Sequence, residues 1–381
     1  MRLLVLGAGL QGTACAFDLL RESTVEQVLL ADLHPTELPP FLHAIASPRL
    51  VPLALDVRDE RAVRAAFAQC DAVLSAIPYY FNGTLARLAV EGGVHFADLG
   101  GNTEIVQQQK QLDAAAKAKG ISVIPDTGLA PGMVNVIAQH GIRCFETVER
   151  VKLFVGGLPQ VPEPPLGYQI AYSIEGMVDY YTTPSLVVRD GQPATVDALS
   201  EVEPVGFDAP LGTLEAFHTA GGLSTMVYRY AGIIPAMEYK TLRYPGHAAI
   251  MRSIRDLGLL DGTPVTIKGQ EVVPRDVFVK VAGDRLRKGK PDLVALRVVV
   301  TGTNDGVQAT RAWEVVDHFD AAHGISAMMR TTGYTLSITG QLQASGAIPP
   351  GVHTPDECIP AARYFEMLAR RGVVVRELRK L

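Results

Sequence analysis

The sequence predicts an α/β protein: a doubly wound parallel sheet, followed by a second, α+β domain for substrate binding and dimerisation. Three observations predict it. Six short apolar runs recur through the first 125 residues, helix-like stretches separate them, and a glycine-rich turn follows the first run. Runs that are apolar throughout suit strands buried on both faces. Their alternation with helices places those helices on the two faces of one parallel sheet.

Leu3–Leu6 is the first run, and from Gly12 the spacing turns helical through Ala16, Leu19 and Leu20. Val28–Ala31, Leu50–Leu55, Ala72–Ile77, Val94–Ala97 and Ile121–Ile124 are the further strands. Glu60–Gln69, Gly83–Val90 and Glu104–Lys119 are helices between them. Pro131 suits a first helical turn, and an apolar helix follows to about Ile142. Val148–Val155 and Val294–Val300 are longer strands of the second domain. Gly156–Pro165 holds four prolines and is expected as a loop. Ala361–Ala369 is an amphipathic helix, with Gly372–Val375 as a short strand or extended tail.

At 381 residues the chain suits two domains. Apolar residues make up 48% and charged residues 20%, which excludes intrinsic disorder. A net charge of −5 gives no electrostatic reason to bind nucleic acid or an anionic membrane. Cys15, Cys70, Cys144 and Cys358 stand far apart with no metal-ligand spacing. Free thiols, a cytoplasmic location and no metal are therefore expected. His318 and His323 flank Asp320 at a spacing that suits no metal motif. The opening apolar run breaks at Gly7, so it is not read as a signal peptide. The longest uncharged stretch, Thr331–Pro355, is too rich in Thr, Ser, Gln, Gly and Pro to cross a bilayer.

Gly7-Ala8-Gly9-Leu10-Gln11-Gly12 is a G-x-G-x-x-G between the first strand and the first helix, the context a Rossmann-type dinucleotide site demands. Gly7 permits the tight turn, Gly9 lets backbone N–H groups approach a pyrophosphate, and Gly12 lets helix and strand pack closely. Asp32 closes the second strand 25 residues after Gly7, near the interval of about 20 expected for a ribose-binding acid. A carboxylate there favours NAD over NADP, with His34 and Arg49 as the cations that would allow a 2′-phosphate. Asp56 and Val57 end the third strand at the expected adenine edge. Ala76, Ile77 and Pro78 end the fourth beside the nicotinamide path. Asp98 and Asp126 end the fifth and sixth, and read either as reactive carboxylates or as loop and helix-capping groups.

Three motifs then carry a resemblance. They are Asp126-Thr127-Gly128-Leu129-Ala130-Pro131-Gly132, Gly156-Gly157-Leu158-Pro159 with the following Pro165-Leu166-Gly167-Tyr168, and Leu242-Arg243-Tyr244-Pro245-Gly246-His247. With the glycine-rich turn, they make the chain resemble the saccharopine dehydrogenase-like family, most of all its lysine 6-dehydrogenase branch. Saccharopine-forming members carry Glu where Asp126 stands, Asp at Ala130, Asp-His at Val134-Asn135 and Cys at Val155. This chain departs at each, and is short for that branch.

The resemblance implies a first domain of residues 1–125 completed by 335–381, with the substrate-binding domain at 126–334. It implies NAD-dependent oxidative deamination of the ε-amino group of L-lysine, giving 2-aminoadipate 6-semialdehyde and ammonia. A small-molecule amino-acid substrate and a homo-oligomer, dimer or tetramer, go with it. Asp126 is the first choice of base and Asp98 the second, with Glu175, His218 and His247 as further candidates. Arg243 matches a substrate carboxylate bidentately. His218, Thr219, Tyr172 and Glu175 are expected to line the pocket, and Lys240 is a candidate amine. Two alternatives stand. One is dehydrogenation of saccharopine or carboxynorspermidine, which would call for several pocket cations; the other is a non-catalytic NAD-binding sensor.

Overall fold

The computed structural model describes every residue except Thr36, Ala171, Tyr172, Lys380 and Leu381. The chain opens β1 (Arg2–Leu6), α1 (Leu10–Leu20), β2 (Gln27–Asp32), α2 (Pro40–Ile45) and β3 (Leu50–Ala54). It continues α3 (Glu60–Phe67), β4 (Ala72–Ser75), α4 (Asn82–Gly92), β5 (His95–Asp98), α5 (Thr103–Lys110), α6 (Asp113–Lys119), β6 (Ser122–Ile124) and α7 (Met133–Ile142). The single helix expected over Glu104–Lys119 is thus two. The break at Gln111 and Leu112 frees Asp113 to open the second, where its carboxylate accepts the Val352 N–H at 2.9 Å.

Next come β7 (Thr147–Pro159), α8 (Ile174–Thr182), β8 (Ser185–Arg189), β9 (Gln192–Val196), β10 (Glu203–Gly206), β11 (Thr213–His218), α9 (Met226–Tyr230) and β12 (Ala236–Arg243). They are followed by α10 (His247–Asp256), β13 (Val265–Ile267), β14 (Gln270–Val272), α11 (Pro274–Leu286), β15 (Asp292–Asn304) and β16 (Val307–His318). The chain closes with α12 (Ala327–Ala344), β17 (Gly351–Val352), α13 (Pro355–Cys358), α14 (Ala361–Arg370) and β18 (Arg376–Leu378).

Two compact units result: Met1–Cys144 with Asp320–Val375, and Phe145–Phe319 with Arg376–Leu381. The first holds a seven-stranded sheet in the order β17-β6-β5-β4-β1-β2-β3, parallel throughout. Because β1 lies between β2 and β4, the strand order reverses there, and the crevice beyond the strand ends opens at the glycine-rich turn. The divisions fall at 144 and 320 rather than at 125 and 335. α12 explains the second shift. It packs so closely on α1 that a Cβ on Gly333 would stand 2.6 Å from the Gln11 carbonyl oxygen. The far ends of this unit are tied by a buried pair, Arg371 Nε to Asp18 Oδ1 at 2.7 Å, with Ser337 Oγ donating to Asp18 Oδ2 at 2.6 Å.

The second unit is built on a mixed sheet, β10-β11-β12-β7-β15-β16-β18, with the β8–β9 hairpin attached to β12. Two expectations change here. Gly156–Pro159 continues β7, pairing antiparallel with Asp292–Ala295, rather than forming a loop. Glycine suits the place, since a Cβ on Gly156 would stand 2.5 Å from the Leu242 carbonyl oxygen, and Pro159 ends the strand where no further ladder N–H is needed. The carboxy-terminal strand forms at 376–378 and pairs with β16, so the last residues join the second unit instead of completing the first. Among the described residues no helix is long and apolar enough to cross a membrane.

Candidate active site

One group of candidate residues lies in the first unit. Gly7 has φ +95°, and a Cβ there would meet the Ala76 carbonyl oxygen and Ile77 Cγ2, each at 2.9 Å. Ala76 and Ile77 therefore wall the turn, and only glycine fits between. Gly12 is held against the Gly7 carbonyl, whereas nothing stands within 4 Å of a Cβ placed on Gly9. Gly9 is also the N-cap of α1 and offers no capping side chain. The open approach and the first-turn N–H groups of α1 form a cradle for a diphosphate. The residues present thus fit a dinucleotide.

Asp32 is turned into this cradle. Its Oδ2 accepts the Ala8 N–H at 2.7 Å and Oδ1 the His34 N–H at 3.2 Å. Arg49 is committed elsewhere: its guanidinium donates to the carbonyls of Glu22 at 2.8 Å and Val25 at 2.7 Å, and also to that of Leu20. Leu10 is exposed at the start of α1 and Gln11 partly so. Asp56 is paired with Arg58 (Nη2 to Oδ2 2.6 Å), which holds its carboxyl down to about 2; Val57 packs into the core. Pro78 leads into a single helical turn, Tyr79–Phe81. Tyr79 there lies beside Gly101, and both Tyr79 and Tyr80 are exposed.

Asp98 and Asp126 meet at the ends of β5 and β6, both buried. Asp98 is surrounded by donors from its own unit: Gly100 N–H at 2.7 Å, Gln109 Nε2 at 2.6 Å and the Asp126 N–H. Burial nevertheless pushes its carboxyl up to about 6. Thr127 donates both its N–H and its hydroxyl to the Asp98 carbonyl, each at 2.8 Å, and Thr335 Oγ1 donates to the Thr127 carbonyl at 2.6 Å. Asp126 itself has φ +63°, with its carboxylate against the Cα of Gly100. Asp98 thus organises the loop that presents Asp126.

A separate group lies in the second unit, around Arg243 at the end of β12. Strand alternation decides its company. The β11–β12 register pairs Glu215 with Arg243, Phe217 with Thr241 and His218 with Lys240. Thr219 joins the Arg243 face, its hydroxyl 2.7 Å from that of Thr241. His218 and Lys240 point to the opposite face, so the structure separates them from Arg243. The guanidinium of Arg243 is buried, lies over the ring of Tyr168 at 4.6 Å, donates to the Leu242 carbonyl at 2.8 Å and hydrogen-bonds Tyr181. His247 Nδ1 is 3.1 Å from the Leu166 carbonyl, an acceptor, so Nδ1 carries the proton. Nε2 then accepts from the Tyr181 hydroxyl at 2.9 Å. Burial, with the Arg243 charge beside it, pushes His247 down to about 3, so the ring is neutral. Glu175 is an exposed first-turn residue of α8, accepting from Ser173 Oγ at 2.8 Å. Tyr172 lies outside the described residues. Tyr168 and Tyr181 were not foreseen as site residues, because the contacts that gather them are long-range: Tyr181 meets His247 66 positions on, and Tyr168 meets Arg243 and His247 across the same stretch of chain.

On the opposite face Glu201, His218 and Glu238 have the types and proximity of metal ligands. Cations already match the carboxylates. Arg189 Nη2 bridges Glu201 at 3.0 Å and Glu238 at 2.7 Å, Lys152 bonds Glu203 at 2.9 Å, and Lys240 bonds Glu203 at 2.7 Å. A divalent ion there would add charge to a balanced network.

Comparison with known proteins gives this architecture a family. Residues 3–124 match the Saccharopine dehydrogenase NADP binding domain, and residues 128–373 match the Saccharopine dehydrogenase C-terminal domain. The chain belongs to the saccharopine dehydrogenase family. Its first unit is therefore a pyridine-nucleotide-binding domain. A saccharopine dehydrogenase [NADP(+), L-glutamate-forming] of Pyricularia oryzae is 28% identical over 229 residues, 55% of this chain and 48% of that one. The mitochondrial alpha-aminoadipic semialdehyde synthase of Bos taurus is 24% identical over 319 residues, 74% of this chain and 33% of that one. The chain thus spans about half or less of the length of these relatives. The apo saccharopine dehydrogenase (L-Glu forming) of Saccharomyces cerevisiae shares the fold, with a TM-score of 0.80 at 20% identity over 99% of both chains.

Proposed function

We propose that the chain is an NAD-dependent amino-acid dehydrogenase that removes the ε-amino group of L-lysine oxidatively. The observation that carries the substrate reading is the buried guanidinium of Arg243 beside the neutral ring of His247. Tyr168 and Tyr181 are uncharged and His247 is held neutral, while Lys152, Arg189 and Lys240 are spent on carboxylates of the other sheet face. One cation suits a substrate with one carboxylate. The NAD reading rests on Asp32, which meets ribose hydroxyls as an acceptor and repels a 2′-phosphate, and on Arg49, whose donors are engaged.

Arg243 orients the substrate through its α-carboxylate. Asp126 takes the proton from the ε-ammonium, leaving a nitrogen lone pair that forms the C=N bond as hydride leaves the ε-carbon. The bound nicotinamide supplies the two-electron acceptor for that hydride. Asp126 then assists water addition to the iminium, after which ammonia departs and the semialdehyde remains. Asp98 fixes the loop around Asp126 through its three donors.

The relatives' names favour a second reading, dehydrogenation of saccharopine with NADP. Purified protein mixed with NAD or NADP and lysine, saccharopine, ornithine or carboxynorspermidine separates them by absorbance of the reduced coenzyme. Lysine with NAD is expected to give the signal. Signal with saccharopine and none with lysine overturns the first reading, and silence throughout with retained nucleotide binding points to a sensor.

A further inference from the structure

His247 opens α10 in a place where an apolar side chain would be buried at lower cost. Three aromatic rings of the second unit pack around it. Phe217 lies parallel to the imidazole, the planes 9° apart and the centroids at 6.1 Å, while Tyr168 and Tyr181 stand edge-on at 5.5 and 5.7 Å. The residue is fully enclosed, so both ring nitrogens need partners inside the protein. The reaction described above gives this buried ring no task of its own.

Its hydrogen bonds run in one direction. The Leu166 carbonyl only accepts, so Nδ1–H donates to it at 3.1 Å and Nε2 is left as an acceptor. The other tautomer would set acceptor against acceptor. Tyr181 donates its hydroxyl proton to Nε2 at 2.9 Å. Its oxygen then faces the Arg243 guanidinium as an acceptor. The order of donors is therefore Arg243, Tyr181, His247, ending at the Leu166 carbonyl.

Both ends of this chain are anchored. Gly246 precedes His247 as the N-cap of α10 and has no side chain to cap with. Glu215 supplies the cap: its carboxylate accepts the Gly246 N–H at 2.9 Å and the Ala248 N–H at 2.6 Å, fixing the turn that carries the imidazole. At the other end Arg243 Nη1 donates to the Leu242 carbonyl at 2.8 Å, and the guanidinium lies over the Tyr168 ring at 4.6 Å. An arginine side chain has many rotamers, and a carboxylate binds more tightly to one already held in place.

We propose that Tyr181 and His247 are positioning residues, which hold the Arg243 guanidinium through this chain in the orientation that receives a substrate carboxylate. The inference rests on the reading of Arg243 given above, and both residues act through Arg243.

Isothermal titration calorimetry of the NAD-loaded full chain with L-norleucine reads carboxylate binding without turnover, because this amino acid lacks the ε-amine. Steady-state kinetics with lysine runs beside it. Tyr181→Phe deletes one hydroxyl and keeps the ring. It is expected to raise the norleucine Kd and the lysine KM about 10-fold each, with kcat and the NAD Kd within about 2-fold of wild type. His247→Leu is expected to do the same, and the double variant to lose no more than the worse single, because either change breaks the same chain. A Tyr181→Phe protein with the wild-type norleucine Kd overturns the proposal. So do losses that multiply in the double variant, or a loss that falls on kcat alone. Norleucine binding that weakens as expected in a protein that leaves lysine unoxidised refutes the lysine reading and upholds the positioning chain. A wild type that binds no norleucine overturns both.

Discussion

Asp98 and His247 are both buried, yet their titrations work in opposite directions. Burial raises Asp98 to about 6, so the folded state holds a proton that the unfolded chain releases near pH 4. The stabilisation is complete below pH 4 and lost as pH rises through 6, on the order of 2–3 kcal/mol. Asp98→Asn should remove that slope: its gain in melting temperature over wild type should be larger at pH 7 than at pH 4. The isostere is tolerable because Gln109 Oε1, which makes no hydrogen bond, can turn to accept from the new amide. His247 is lowered to about 3, so its contribution is present above pH 6.5 and declines as pH falls toward 3. For function, Asp32→Ala should erase the preference for NAD over NADP in coenzyme Kd; an unchanged ratio counts against the ribose role. Arg243→Ala should raise KM for a carboxylate-bearing amine about 100-fold or more with a smaller effect on kcat. The glycine-rich turn, Asp32 and the Asp126 motif were readable because local spacing defines them. The Tyr181–His247–Leu166 chain was not, since nothing local to His247 announces a partner on α8.

At the level of elements, the parallel sheet was legible because each strand is apolar on both faces and bounded by helix signals. α12 was the opposite case. From sequence its Thr, Ser, Gln and Gly content says only that it is too polar to cross a bilayer, yet nearly every residue is buried. Surrounded by protein on all sides, it shows no polar stripe. Its Thr and Ser hydroxyls are satisfied within the helix, as Thr331 to the Ala327 carbonyl and Thr339 to the Thr335 carbonyl at 2.8 and 2.9 Å, or by Asp18 and Thr127. The small residues serve closeness. Gly333→Ala should destabilise the protein by about 1–3 kcal/mol despite a helix-propensity gain of about 1 kcal/mol, because α1 cannot withdraw without moving the nucleotide cradle. Urea denaturation checks the first effect, and a weaker NAD Kd the second.

For the whole molecule, the first unit is discontinuous, made of Met1–Cys144 and Asp320–Val375. The Asp18–Arg371 pair bridges the ends of that unit. Arg371→Met should cost about 3–5 kcal/mol by leaving a carboxylate buried without its cation, and adding Asp18→Asn should recover part of the loss. Chemical denaturation of the single and double variants measures both.

The interleaved chain also sets an order of assembly during synthesis. Residues 145–319 form one uninterrupted stretch and can collapse as they leave the ribosome, lacking only the short edge strand β18. The nucleotide unit must wait. Its six leading strands emerge first, but the buried helix α12 and β17 follow only after residues 145–319 have been made. Through that interval the apolar faces destined for α12 stand open, so this half of the protein depends most on chaperone protection, and premature termination before residue 327 would strand it incomplete.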